Sequence, residues 1–118
     1  MRLLLADDNE MNVDLFTAAL DQHDVVVERD GAAALQRALS ESFELILLDV
    51  QMPRMRGDEV CRELRARGIR TPIVALTAAA MPDDIARANG VGFDAYLTKP
   101  ISPESLRAAV RQHARPAA

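Results

Sequence analysis

Hydrophobic and polar positions alternate between two rhythms along this chain, and each switch marks an element. Residues 2–6 form a short apolar run that stops at Asp7-Asp8-Asn9. Met11, Leu15, Phe16, Ala19 and Leu20 then recur at helical spacing, which predicts an amphipathic helix with those residues on its apolar face. Residues 24–28 read as a Val-rich second strand, and Asp30-Gly31 caps a helix striped by Ala34, Leu35, Ala38 and Leu39. The strongest segment is 44–53, in which Leu45, Ile46, Leu47 and Leu48 run straight into Asp49 and Pro53 closes the stretch. An unbroken apolar run without polar alternation fits a strand buried on both faces of a parallel sheet.

The same two rhythms continue to the end of the chain. After a loop through Arg54, Met55, Arg56 and Gly57, Val60, Cys61 and Leu64 stripe a third helix that Gly68 closes. Thr71-Pro72 opens a fourth strand, Ile73-Val74-Ala75-Leu76, ending at Thr77. Pro82 and Asp83-Asp84 suit the first turn of a short fourth helix, and Asn89-Gly90 its end. Residues 94–98 form a fifth strand before Lys99-Pro100. Ser102-Pro103-Glu104 then starts a last helix with Leu106, Ala109, Val110 and His113 on one face. Strands alternating with helices predict an α/β fold, a single (βα)5 doubly wound parallel sheet with the flavodoxin-like strand order 2-1-3-4-5. One domain is expected over residues 1–118, its core over 2–114 and a frayed tail at 115–118.

Composition narrows the function. The net charge of −4 and the lack of a basic stripe argue against a nucleic-acid face. No apolar run approaches the roughly 20 residues that span a bilayer, and the N-terminus turns acidic too soon for a signal peptide, so a cytoplasmic location is expected. Cys61 is the single cysteine, which excludes an internal disulfide framework and a zinc set; it reads as a buried helix residue. His23 and His113 fall near predicted helix ends and read as surface residues. Of the 14 basic residues only Lys99 is lysine, a hint that a compact ammonium is wanted at that position.

Candidate chemistry collects at one edge. Parallel strands all point the same way, so the residues beyond their ends share one side of the sheet: Asp7-Asp8, Asp49, Thr77 and Lys99. Strands one and three are neighbours in the expected order, which brings three carboxylates together at the switch point. Clustered carboxylates favour a hard divalent cation such as Mg²⁺, which leaves positions for phosphate oxygens. Lysine and threonine suit an incoming phosphoryl group, and Asp49 is placed to attack phosphorus.

The motifs Asp7-Asp8, 47–53, 75–78 and 96–100 resemble those of two-component receiver domains, in order and over essentially the whole chain. The resemblance implies that Asp49 is the phosphoacceptor and that Asp8, Asp49 and the backbone carbonyl of Gln51 hold Mg²⁺ (or Mn²⁺), with Asp7 acting through water. It further implies that Lys99 binds the phosphate before a cis Lys99-Pro100 bond, and that Thr77 and Tyr96 are switch residues. Gln51 and Ala79 occupy positions that tune phosphoryl lifetime, and Arg56 stands where many relatives carry an acid. The run from Asp7 to Asn12 is similar to receivers of hybrid kinases and phosphorelays. Expected partners are a histidine kinase or phosphotransfer protein and a downstream protein, reached through a face of the fourth helix, fifth strand and fifth helix; a phosphorylation-linked dimer fits this pattern. The small residues Ala78-Ala79-Ala80 suit a loop that moves.

Three other readings compete. A phosphatase of the haloacid dehalogenase type needs a second acid two residues after the first, where this chain has Gln51. Nucleotide binding lacks both a Gly-x-Gly-x-x-Gly motif and a P-loop. A pseudo-receiver acting only as an interaction module usually loses an acid, the threonine or the lysine, and all are present here. The expectation is therefore a stand-alone signalling phosphoacceptor rather than an enzyme with its own substrate.

Overall fold

The order of elements follows directly from where the apolar runs and caps fall. The computed structural model describes residues 1–78 and 90–116. In chain order they form β1 (Arg2–Ala6), α1 (Glu10–Ala19), β2 (Asp24–Glu28), α2 (Gly31–Ser40), β3 (Leu45–Asp49), α3 (Gly57–Ala66), β4 (Ile73–Thr77), β5 (Ala95–Thr98) and α4 (Pro103–His113). The strands make one parallel sheet of order β2-β1-β3-β4-β5, as expected. Four helices, not five, lie among the described residues; the short helix expected from Pro82, with Ala79 and Ala80, falls in 79–89, outside them.

Alternation along the central strands builds two apolar layers. Leu4, Ala6, Ile46, Leu48, Ile73 and Ala75 face α2 and α3, meeting Ala34, Leu35, Val60 and Leu64. Leu3, Leu5, Leu45, Leu47, Val74 and Leu76 face the other way, onto Phe16 and Leu20 at α1 and Leu106 and Val110 of α4. β3 is buried along its whole length, which explains its unbroken apolar run. β2 and β5, at the sheet's edges, are only partly buried.

Caps fix the helix ends. Asn9, Asp30 and Ser102 each accept a backbone N–H from three residues on, and Gly68 turns the chain after α3 at φ 79°. The expected apolar face of α1 needs correction. Met11 and Leu15 are 74% and 57% exposed, while Val13, Phe16 and Leu20 are buried. Both sets recur at helical spacing, and the rotation imposed by the Asn9 cap and the sheet selects the second. At the other end, the Arg115 amide donates to Glu44 O at 2.9 Å, so the chain is still fastened where fraying was expected to begin.

Candidate functional site

Sheet register sets the site. Leu5 pairs with Leu47 and Ala6 with Leu48, so Asp7 and Asp49 extend two neighbouring strands in step. Both follow the parity of Leu5 and Leu47 and emerge side by side at the carboxyl edge. Asp7 is wholly buried, Asp49 is 5% exposed, and Asp8 is exposed. One carboxylate oxygen from each of the three lies within 4.8 Å of the others. Lys99, one residue past β5, reaches across β4: its Nζ is 3.1 Å from Asp7 Oδ2 and 3.2 Å from Asp49 Oδ2.

Asp7 and Asp49 are oriented by the chain just beyond them. Asn9 N donates to Asp7 Oδ1 at 2.9 Å, and Gln51 N donates to Asp49 Oδ1 at 3.2 Å. That leaves the Oδ2 atoms to face Lys99. Asp7 Oδ2 is buried and makes no hydrogen bond of good geometry; the ammonium beside it is an ion-pair partner only. Among the described residues, three carboxylates against one ammonium leave the cluster short of positive charge.

This imbalance appears in the acidity of Asp49. Burial first, and then the charge of Asp7, push its carboxyl up to about 6, against the opposing pull of Lys99 and the Gln51 amide. An anion held at that cost invites a cation. The donors on offer are hard oxygens, one of them buried without a hydrogen bond, and this set fits Mg²⁺ or Mn²⁺.

The remaining expected residues take these positions. Thr77 ends β4, and its carbonyl accepts from Lys99 N at 2.7 Å. Tyr96 lies on β5, half-buried against the α2–α3 layer. Lys99-Pro100 is a cis peptide bond, as expected. Cys61 is fully buried, and burial pushes its thiol up to about 11, so it is no nucleophile.

Two glycines went unrecognised as parts of the site. A Cβ on Gly57 would stand 2.1 Å from Asp49 O, because α3 starts directly against the backbone of the acid; Gly57 N donates to Val50 O at 2.8 Å. A Cβ on Gly31 would stand 1.8 Å from Met55 O. The available signal was a glycine in the first position of two helices, where propensity favours other residues.

A parallel 2-1-3-4-5 sheet with an acidic cluster and a single lysine at its carboxyl edge defines a signalling receiver rather than a nucleotide-binding module. The response regulator receiver domain family matches residues 3–111, and the chain belongs to that family: it is a receiver domain of two-component signalling. It is 38% identical over 112 residues to the alkaline phosphatase synthesis transcriptional regulatory protein PhoP of Bacillus subtilis, covering 93% of this chain but only 47% of that protein. The receiver domain of the Francisella response regulator 1452 superposes with a TM-score of 0.90 at 28% identity, covering 94% of this chain and 93% of that one. The receiver domain of the sensor histidine kinase PA1611 of Pseudomonas aeruginosa gives a TM-score of 0.87 at 32% identity, with 95% of each chain covered. That structure holds magnesium coordinated in its active-site cleft. Among the described residues no helix is long and apolar enough to cross a membrane.

Proposed function

We propose that this receiver takes a phosphoryl group onto Asp49 from a phosphohistidine of a histidine kinase or phosphotransfer protein in the cytoplasm. The reading rests on one observation: three carboxylates within 4.8 Å of one another, with the Lys99 ammonium 3.2 Å from Asp49 Oδ2. Asp8, Asp49 and the Gln51 carbonyl would hold Mg²⁺, with Asp7 acting through water. Bound there, the ion supplies charge neutralisation and a place for phosphate oxygens.

The protein's own groups do the rest. An Asp49 carboxylate oxygen attacks phosphorus, the P–N bond breaks, and the electron pair leaves on the imidazole nitrogen, which later takes a proton from solvent. The Gln51 amide keeps Asp49 Oδ1 engaged, so the attacking oxygen is the one facing Lys99. Lys99 balances the charge that arrives with the phosphoryl group. Thr77 offers a hydroxyl, and Tyr96 turns inward with it as the switch toward a downstream protein. Hydrolysis by water breaks the new P–O bond and returns the carboxylate and inorganic phosphate.

Intact mass after incubation with acetyl phosphate tests this proposal. One added phosphoryl group, dependent on Mg²⁺ and absent from Asp49→Asn, is expected. No addition, together with no response to beryllofluoride and Mg²⁺, would replace the reading with a pseudo-receiver acting only through protein contacts.

A further inference from the structure

The loop over residues 50–56, which carries the Gln51 carbonyl, is held at both ends and also at its middle. At its start Val50 N donates to Leu76 O at 3.0 Å, and at its end Gly57 N donates to Val50 O at 2.8 Å. These fastenings come from β4 and α3, the elements that flank the site. The middle one comes from α2. Gly31 N donates to Pro53 O at 3.2 Å, and the space of a side chain at position 31 is taken by Met55: a Cβ there would lie 1.8 Å from Met55 O and 2.6 Å from Met55 C. Asp30 joins the contact, accepting from Ala33 N with Oδ1 at 2.7 Å while Oδ2 stands 3.8 Å from Arg54 Nε. Arg54, between the two contact points, has φ 69°, a turn that a non-glycine residue adopts only when its surroundings impose it.

We infer that Gly31 is a positioning residue for the phosphoacceptor loop: its amide and its missing Cβ seat Pro53 and Met55 on α2 and so fix where the Gln51 carbonyl points. This rests on the functional reading above, in which that carbonyl is an ion donor. Helix propensity does not account for glycine here, since alanine is preferred inside a helix. Nor does backbone freedom, since Gly31 is not among the positive-φ glycines, which are Gly68 and Gly92. Close approach of the loop backbone does account for it. A methyl group must push Met55 outward, and the displacement runs along the four peptide units between Met55 and Gln51 because the far ends are fastened.

The test is Gly31→Ala in the 118-residue chain beside wild type and Gly68→Ala. Gly68 also sits at a helix end, but a Cβ there meets nothing within 4 Å, so that variant carries backbone strain alone. Mg²⁺ affinity is read from amide chemical shifts, and phosphorylation by acetyl phosphate is followed against Mg²⁺ concentration. Gly31→Ala is expected to weaken Mg²⁺ binding by about tenfold, in the range seen when groups that orient metal ligands are changed, with much of the rate recovered at high Mg²⁺. Gly68→Ala keeps wild-type affinity. If Gly31→Ala does not fold, the wild type decides: exchange of the Gly31 amide proton should slow when Mg²⁺ and beryllofluoride bind. Wild-type affinity in a folded Gly31→Ala, or unchanged Gly31 exchange, overturns the positioning role alone. A wild-type chain that neither binds Mg²⁺ nor gains a phosphoryl group overturns the functional reading and this inference with it.

Discussion

The two edges of the sheet solve opposite problems. At the amino edge, around Arg65 and Asp94, charge meets opposite charge. Arg65 donates to Gly92 O, Ile69 O and Thr71 O and pairs with Asp94, whose Oδ2 also accepts from Ile73 N at 2.8 Å. One guanidinium thus ties the end of α3 to the starts of β4 and β5. At the carboxyl edge, three carboxylates share one ammonium and a buried oxygen lacks a hydrogen bond. The first arrangement adds stability; the second withholds it until a cation arrives. The fold can keep such a repulsive cluster because Gly31 and Gly57 let backbone, rather than charge, hold its loop.

The largest effect expected on this contrast comes from backbone contact. Gly57→Ala places a methyl group against Asp49 O with no side chain able to give way. It should destabilise the protein by about 3 kcal/mol in urea unfolding. Gly68→Ala, strained but unobstructed, should cost about 1 kcal/mol. Equal losses would show that conformation, not the approach of α3 to the Asp49 backbone, makes glycine necessary at 57.

Next in size is the amino edge. Arg65→Met keeps the stem and removes the guanidinium, leaving the Asp94 carboxylate without its ion pair and three carbonyls short of a donor. The expected loss is about 2 kcal/mol, with Mg²⁺ affinity unchanged. A parallel fall in affinity would show that the two edges are coupled.

A smaller change of opposite sign is expected at the carboxyl edge. Asp49 titrates near 6 in the fold against an ordinary 3.8, so between those values the unfolded chain ionises while the fold stays protonated. Metal-free protein therefore loses stability as pH rises from about 4 to about 6, and above that the loss is complete. It amounts to about 2 kcal/mol, discounted for the coupling to Asp7. Asp49→Asn should be more stable than wild type by that amount at neutral pH and equal to it near pH 4. Saturating Mg²⁺ should erase the difference. A variant no more stable than wild type would mean that the cluster carries no net repulsion.

Most of this was legible in the sequence because local pattern and global fold agree. The run Leu45–Asp49 announces a strand buried on both faces, and parallel strands bring Asp7, Asp49 and Lys99 to one edge without further information. The phase of α1 was not legible. Met11 and Leu15 repeat as regularly as Phe16 and Leu20, and only the position of the helix over the sheet tells the stripes apart. The packing of Gly31 and Gly57 was hidden for a different reason. Each glycine is required by a backbone segment distant in the chain or turned back on itself, and neither spacing nor composition records such an approach.

The smallest effect tests whether exposure separates the working edge from its rim. Arg29 and Glu10 pair just outside the acidic cluster, where Glu10 opens α1, and the hydrogen bond from Arg29 holds the Glu10 carboxyl below its usual range. Their side chains are 54% and 61% exposed, so water and salt screen the pair from its neighbours. Arg29→Ala should leave the urea midpoint unchanged and alter Mg²⁺ affinity by less than about twofold at physiological salt. At low salt the loss of a nearby positive charge should tighten Mg²⁺ slightly, and that trend should vanish as salt is added. A loss of affinity independent of salt would instead make Arg29 part of the site's geometry. The boundary of the working edge would then run through the surface, rather than where burial ends.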